Sequence, residues 1–232
     1  IPANLFKKSV PNIFVKMRKE WGVPFEVVND GEVTALAASM SLKINSVLGI
    51  ALGSSQAGGY VTPDGQITNW LNELAFAPVD FNPDAPLDEW SGDRGCGVQY
   101  FSQVAVIRLA EKSGIKLAAD KTPAEKLKFV QDLLRRGDNR ARKIFETIGC
   151  YLGYGIAHYA NFYDLRQVMI MGRVTSGEGG PIILKNAQNV LIKEFPELAK
   201  RITLHLPDEK SRRIGQSIAA ASLPLIRRKG GR

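Results

Sequence analysis

The sequence has little cysteine and no long hydrophobic run. Only two of its 232 residues are cysteine, Cys96 and Cys150, too few for a disulfide framework and without the partner spacing of a zinc site. No apolar run approaches the roughly 18 residues that a membrane span needs. The N-terminal residues lack the basic start and apolar centre of a secretory signal. These absences favour a reducing, cytoplasmic setting without a membrane partner.

The charge of the chain is strongly positive but dispersed. The formal net charge is +8, which is compatible with a nucleic-acid partner or an anionic small ligand. The basic residues of the segment 126–143 alternate with Glu and Asp along helix-like stretches. This pattern predicts a solvated helix face rather than a nucleic-acid surface, so we expect no nucleic-acid partner for this region.

Periodicity and turn signals predict a mixed α/β fold. Glycine and proline at positions 22 and 24 are expected to end a helix in the first twenty residues, and Pro63 to Gly65 predict a turn. Residues 71–97 lose periodicity and predict an irregular segment. The other predicted helices are 32–40, 122–136, 138–163 and 215–225. Two more are predicted by one end only, a helix that begins at about residue 98 and a helix that ends at residue 193. The predicted strands are 25–28, Val47–Leu52, 59–62, 66–70, Gln167–Met171 and 201–207.

The polar pair Asn29-Asp30 lies between the predicted strand 25–28 and the predicted helix 32–40. A carboxylate at the carboxyl end of a strand, beside the start of a helix, can serve as a general base at a ligand crevice. An aspartate at such a position can also simply cap the helix. Asp30 therefore has two interpretations, a catalytic base and a helix cap.

Two glycine-rich segments each follow a predicted buried strand. In LGSSQAGGYV, residues 52–61, glycines let backbone N–H groups approach an anion, and Ser54 and Ser55 can donate to phosphate oxygens. The segment lacks the Gly-Lys-Ser/Thr of a Walker loop, so a plain hairpin bend is an equal interpretation. MGRVTSGEGG, residues 171–180, precedes a predicted helix and suits a nucleotide, although such turns are common.

Five segments, in order, resemble the ROK family of sugar kinases and sugar-responsive repressors, members of the actin-like ATPase superfamily. NDGEVTALAA resembles NDxxxxALxE, GSSQAGGYV resembles the second phosphate loop GTGxGGGIV, and LNELAFAPV resembles the sugar-binding AGExGHxxV. GDRGCGVQYFS is similar to CGxxGCxExxxS, and DLRQVMIMGRVTSG to PxxIxxGGGxxxxG. The resemblance implies an actin-like ATPase (ribonuclease H-like) fold, a mixed sheet flanked by helices.

By this resemblance, residues 1–232 form the C-terminal lobe of a ROK-type kinase, with no second independent domain. An irregular insertion at about 63–97 would carry part of the sugar site and a degenerate zinc loop. The 232 residues contain no DxGGT, the first phosphate loop of the family. The N-terminal lobe is therefore expected to be largely missing, and the isolated chain to be inactive.

The resemblance also implies a function, the ATP-dependent phosphorylation of a hexose or related sugar. Asp30 would accept the proton of the sugar hydroxyl as it attacks the γ-phosphate, with Mg²⁺ as the metal cofactor. The implied site comprises the catalytic Asp30, the sugar-binding Asn29 and Glu73, and the nucleotide-binding Gly53, Ser54, Ser55 and Gly172.

The chain departs from the family at its zinc motif. Phe76 stands where the family has a zinc-binding histidine, and only Cys96 remains of the clustered cysteines. One thiolate cannot make a tetrahedral site, so we expect no structural zinc. The loop is expected to be anchored by Phe76, Phe81 and Trp90 instead.

Two alternatives to a kinase stay open. The chain can be a non-catalytic sugar-sensing module, as in ROK repressors or pseudokinases, or a structural domain with degenerate sites. The retained Asn29, Asp30 and Glu73 favour the kinase, because a decayed site has no need of a base and a hydroxyl clamp. The sequence leaves open the sugar, the phosphate donor and whether two copies form a homodimer.

Overall fold

The computed structural model describes residues 2–23, 27–68, 71–208 and 217–222. Its strands are β1 (Val47–Leu52), β2 (Gln56–Val61), β3 (Gln167–Met171) and β4 (Thr203–His205). Its helices are α1 (Ala3–Ser9), α2 (Ile13–Trp21), α3 (Asp30–Leu42), α4 (Gln103–Lys112), α5 (Pro123–Arg135), α6 (Asn139–Tyr159), α7 (Gly179–Glu194) and α8 (Pro196–Arg201). Residues 217–222 are also helical.

The strands form one mixed sheet in the order β2-β1-β3-β4. β1 and β2 are an antiparallel hairpin, while β1 and β3, and β3 and β4, pair in parallel. Helices cover both faces, as the sequence predicted. Because β1 and β3 are parallel, their carboxyl ends lie side by side at one edge of the sheet, where α/β folds commonly bind ligands.

The two faces of β1 bury different side chains. Leu48, Ile50 and Leu52 belong to the large core that the sheet shares with α4, α5, α6 and α7. Val47 lies on the other face, in a smaller core with Val33 and Leu36 of α3. This period of two is the expected pattern of a strand covered on both sides.

Glycines at the contact between α3 and the β1–β2 hairpin allow the two backbones to touch. Gly49 and Gly59 are paired across the hairpin. A Cβ atom on Gly49 would lie 2.8 Å from Cα of Ala35, and one on Gly59 would overlap the carbonyl group of Gly31. We call Gly31, Gly49 and Gly59 the glycine contact. It places the beginning of α3 directly on the middle of β2.

The first twenty residues form two helices, which corrects the prediction of one. Pro11 lies between α1 and α2, and Asn12 is left-handed with φ 63°. A proline lacks the N–H that a continuous helix needs, and the left-handed Asn12 turns the chain out of the helical path. Gly22 does end α2, with φ 59°, as predicted.

Other predicted boundaries shift by a few residues. β2 begins at Gln56 rather than 59, α6 ends at Tyr159 rather than 163, and the short helix α8 was missed. The predicted strand 66–70 is reduced to a single bridge between Val61 and Ile67, with residues 69 and 70 outside the described part.

Two predicted elements are only partly described. Of the strand 25–28, residues 25 and 26 lie outside the described residues, and Val27 and Val28 are not in a strand. Of the helix 215–225, only residues 217–222 are described.

Residues 71–97 contain no α-helix or β-strand and are held mainly by backbone hydrogen bonds. The N–H of Val79 donates to the carbonyl of Gly95 at 2.8 Å, and that of Val98 to Ala75 at 2.9 Å. Phe76 packs beside the buried Ala75, Cys96 and Val98, as an anchor should.

The prediction that Phe81 and Trp90 also anchor this segment is wrong. Their side chains are 76% and 83% exposed. Trp90 stacks on Phe76 from outside, with ring centroids 5.2 Å apart. Hydrogen bonds between main-chain groups carry no side-chain signature, so the sequence could not reveal them.

Candidate functional site

Asn29, not Asp30, caps helix α3. The side-chain oxygen of Asn29 accepts from the N–H of Gly31 at 2.8 Å, and Asp30 is the first helical residue. The capping interpretation of Asp30 is therefore wrong. Asp30 is exposed, and among the described residues its carboxylate has no hydrogen-bond partner.

The amide group of Asn29 joins the start of α3 to the irregular segment. Its Oδ1 caps the helix, while its Nδ2 donates to Oε1 of Glu73 at 3.3 Å. Both ends of one amide are thus engaged, which fixes its orientation. Asn29 and Glu73, predicted from separate motifs, lie together in the structure.

A cavity of about 300 Å³ collects six of the seven predicted site residues. Asn29 and Asp30 line this cavity from the start of α3, and Glu73 and Phe76 line it from the irregular segment. Gly53, Ser54 and Ser55 contribute the turn between β1 and β2. Carboxylate, amide and hydroxyl groups therefore converge on a space large enough for a small polar ligand.

The turn at Gly53–Ser55 is tied to the fold by its backbone. The N–H of Gly53 donates to the carbonyl of Ser55, and the carbonyl of Gly53 accepts from Gln103 at the start of α4, both at 2.9 Å. Ser54 and Ser55 are exposed. A Cβ atom on Gly53 would make only ordinary contact, 3.7 Å from the oxygen of Ser55. Packing within the chain therefore does not require glycine at this position.

Gly172 lies apart from the other predicted site residues. It lines a neighbouring cavity of about 420 Å³, with Arg173, Ser176 and Ala51, and Ala51 borders both cavities. Its φ is 99°, and a Cβ atom would overlap the backbone of Leu52 at the end of β1. Gly172 thus follows β3 where Gly53 follows β1, at the same edge of the sheet.

Sequence reasoning missed a buried polar pair behind the cavity. Gln56 is 3% exposed and lines the cavity next to Ser55. Its Nε2 donates to the hydroxyl of Tyr159, which is 1% exposed, at 3.2 Å. The sequence signal for this pair was the amide of Gln56, which lies on the same strand face as Tyr60 in a run of otherwise small or apolar residues.

The histidines and cysteines of the described residues do not assemble into a metal centre. No group of three or more His, Cys, Asp or Glu side chains within the described ranges has the geometry to hold a metal ion. Cys96 is buried, and burial raises the pKa of its thiol. Nε2 of His205 lies 2.6 Å from Oε1 of Gln167, and His158 lies among aromatic rings, so both histidines are packed against neighbouring side chains. The absence of zinc stays a prediction.

None of the helices in the described residues is both long and apolar enough to cross a bilayer.

A sequence model of the ROK family matches residues 2–221. The chain belongs to the ROK family. It is 26% identical over 182 residues to a glucokinase of Halalkalibacterium halodurans, covering 73% of this chain and 54% of that protein. The chain therefore spans about half the length of this curated relative.

Solved structures show the same fold. A ROK hexokinase from Thermus thermophilus matches with a TM-score of 0.74 and 19% identity, covering 94% of this chain and 71% of that one. A ROK family glucokinase from Streptomyces griseus, in complex with glucose and AMPPNP, matches with a TM-score of 0.67 and 22% identity. The match covers 90% of this chain and 71% of that one. A ROK family transcriptional regulator, a homologue of the E. coli MLC protein, matches with a TM-score of 0.70 and 18% identity. The match covers 94% of this chain and 58% of that one. The fold is that of the actin-like ATPases.

Proposed function

We propose that this chain supplies the sugar-binding and catalytic groups of a ROK-type sugar kinase, which transfers the γ-phosphoryl group of ATP to a hexose or related sugar. The observation that carries the proposal is the convergence of Asp30, Asn29 and Glu73 on one cavity with the turn Gly53–Ser55. The glucokinase relative and the AMPPNP-bound structural neighbour support sugar and ATP as the ligand classes. Two free cysteines support a cytoplasmic location.

In this proposal Asp30 is the general base. Its exposed carboxylate has no partner among the described residues and can accept the proton of a sugar hydroxyl. Asn29 and Glu73, held together by their hydrogen bond, would accept and donate bonds to neighbouring hydroxyls and so orient the sugar. Ser54 and Ser55 would donate hydrogen bonds to phosphate oxygens as charge develops on them.

The second cavity, around Gly172, is where the proposal places the rest of the nucleotide. It shares Ala51 with the first cavity, and the exposed Arg173 adds a positive charge at its edge. The described residues do not form a magnesium site of their own, since no three-carboxylate or mixed cluster is present among them. Mg²⁺ usually binds proteins through one or two carboxylates together with substrate phosphates.

The test is the substitution Asp30→Asn in the full gene product, with Asp120→Asn as a matched control at an exposed aspartate far along the chain. Because Asn29 is the cap, Asp30→Asn should leave the melting temperature unchanged. It should lower kcat by on the order of 10²-fold or more, while sugar affinity changes little. A wild-type kcat in Asp30→Asn would overturn the catalytic role.

A regulatory function is the second candidate, because the ROK transcriptional regulator matches 94% of this chain with a TM-score of 0.70. A sugar-sensing module would bind sugar in the same cavity without consuming ATP. Calorimetric titration with sugar, followed by a search for phosphorylated product in the presence of ATP, separates the two functions. Sugar binding without any product would favour the sensor.

A further inference from the structure

Two tyrosines, one at the end of α6 and one four residues beyond it, lie behind the candidate site. Tyr159 is the last residue of the helix, and the N–H of Tyr163 donates to the carbonyl of Tyr159 at 3.1 Å. Neither residue lines the cavity of Asp30. Tyr159, however, binds Gln56, which does line it, and Tyr163 binds Asn72, the residue before the lining Glu73.

Tyr163 holds the residue before Glu73. Its hydroxyl donates to Oδ1 of Asn72 at 2.8 Å, and Asn72 is 5% exposed. The Nδ2 of Asn72 donates to Oγ1 of Thr68 at 3.0 Å, and its carbonyl accepts from the N–H of Leu74 at 2.8 Å. The backbone on both sides of Glu73 is therefore fixed through Asn72, although Glu73 itself is exposed.

Tyr159 holds the residue after Ser55. Its hydroxyl accepts from Nε2 of Gln56 at 3.2 Å. Among the described residues, the buried Oε1 of Gln56 has no hydrogen-bond partner, so only the Nε2 end of this amide is satisfied, by the bond to Tyr159. Removing it would leave a buried amide with neither end bonded, which is costly and would release the strand end next to the serine turn.

The position of Tyr163 is itself fixed by β2. The ring of Tyr60 lies 5.1 Å from the ring of Tyr163, and the hydroxyl of Tyr60 donates to the carbonyl of Asp164 at 2.9 Å. Burial raises the pKa of both Tyr159 and Tyr163. Both hydroxyls thus stay protonated throughout the neutral pH range.

We infer that Tyr159 and Tyr163 are positioning residues that hold the two halves of the site separately. Tyr163 orients the sugar-binding carboxylate Glu73 through Asn72, and Tyr159 orients the phosphate-binding turn Ser54-Ser55 through Gln56. This inference rests on the proposed function for what the two halves bind. The inference goes beyond it in assigning each tyrosine to one half.

The experiment compares Tyr163→Phe, Tyr159→Phe and the control Tyr154→Phe in the full gene product. Each substitution removes only a hydroxyl, and Tyr154 is a half-exposed residue of α6 that packs on Phe195. Tyr163→Phe should raise KM for the sugar about five- to tenfold, the scale of one lost hydrogen bond. Tyr159→Phe should raise KM for ATP by a similar factor. Tyr163→Phe should change KM for ATP, and Tyr159→Phe KM for the sugar, by no more than about twofold. Tyr154→Phe should resemble the wild type.

Equal effects on both KM values in both variants would overturn the inference, since a merely structural role would not separate sugar from nucleotide. Backbone hydrogen exchange gives a readout that needs no activity. Tyr163→Phe should speed exchange in residues 71–77, and Tyr159→Phe in residues 53–58. Unchanged exchange in both segments would overturn the inference even in an active kinase. If the two variants show faster exchange but the wild-type protein shows no kinase activity, the positioning contacts would be supported. Only the proposed function would then be refuted.

Discussion

The side chains of Asn29 and Glu73, 44 residues apart in sequence, are joined by a hydrogen bond of 3.3 Å. The same Asn29 side chain caps α3 by accepting from Gly31. One amide therefore serves helix stability through its oxygen and site geometry through its nitrogen. The two roles are separable by substitution, because only one of them needs a donor.

Asn29→Ser should separate them. Serine is about as good a cap as asparagine, so stability should stay within a few tenths of a kcal/mol, whereas Asn29→Ala should cost about 1 kcal/mol. Both variants lose the bond to Glu73 and should raise KM for the sugar. Chemical denaturation beside steady-state kinetics measures both effects. Equal stability of the Ser and Ala variants would show that the capping bond contributes nothing.

Gly59→Ala should destabilise the fold without changing any group that lines the cavity. The added methyl group would overlap the carbonyl of Gly31, and backbone cannot move away as a flexible side chain can. We expect a loss of about 1–3 kcal/mol, the usual range for overpacking. Gly53→Ala is the matched control, because its methyl group has room and should leave the melting temperature unchanged. Equal melting temperatures for both variants would contradict the glycine contact.

Acid should destabilise the irregular segment through Asp80. A hydrogen bond from the hydroxyl of Tyr100 lowers the pKa of Asp80, with help from the N–H of Asn82. A depressed folded-state pKa gives stability that is present above the unfolded pKa of about 4 and is lost as pH falls through the folded value.

Tyr100→Phe removes the larger cause of this shift. Its free energy of unfolding, measured by urea titration at pH 7, 5, 4 and 3, should fall less steeply below pH 5 than that of the wild type. Asp84→Asn, at an exposed aspartate of the same segment, serves as the comparison and should keep the wild-type slope. Parallel curves for wild type and Tyr100→Phe would refute this role of Asp80.

Zinc should be absent from the purified protein. Phe76 packs on the buried Cys96 where a zinc site would need further ligands, and apolar contacts and backbone hydrogen bonds hold the segment instead. Elemental analysis should find far less than one zinc per chain, and EDTA should leave the melting temperature unchanged. One tightly bound zinc per chain would contradict this prediction.

Features set by local chemistry were predictable from the sequence. The capping box at Thr122 and Glu125, with proline at the first helical position, starts α5 as predicted. β3 occupies the predicted residues Gln167–Met171, because a short apolar run between polar segments is a strong signal. The quoted motifs also led to the family, since their order along the chain is more specific than any one of them.

Features set by contacts between distant segments were not predictable. The identity of the α3 cap depends on the exact start of the helix, which single-sequence patterns place only within a few residues. The glycines of β2 suggested anion binding, yet Gly59 serves the contact with α3. The bonds of Tyr159 and Tyr163 cross 103 and 91 residues, and no local pattern reports them.

The glycine contact also bears on how substitutions in this protein would be read. Where two main chains touch, the spacing between helix and sheet is set by hydrogen atoms, and no choice of rotamer can restore it once a methyl group intervenes. A mutational scan scored by enzymatic turnover would therefore rank Gly31 and Gly59 with Asp30, as if all three touched the substrate. Scored by abundance of folded protein, the same scan would lose the two glycine variants and keep the Asp30 variants. The difference between the two scores would separate the residues that hold the site from Asp30, the proposed general base.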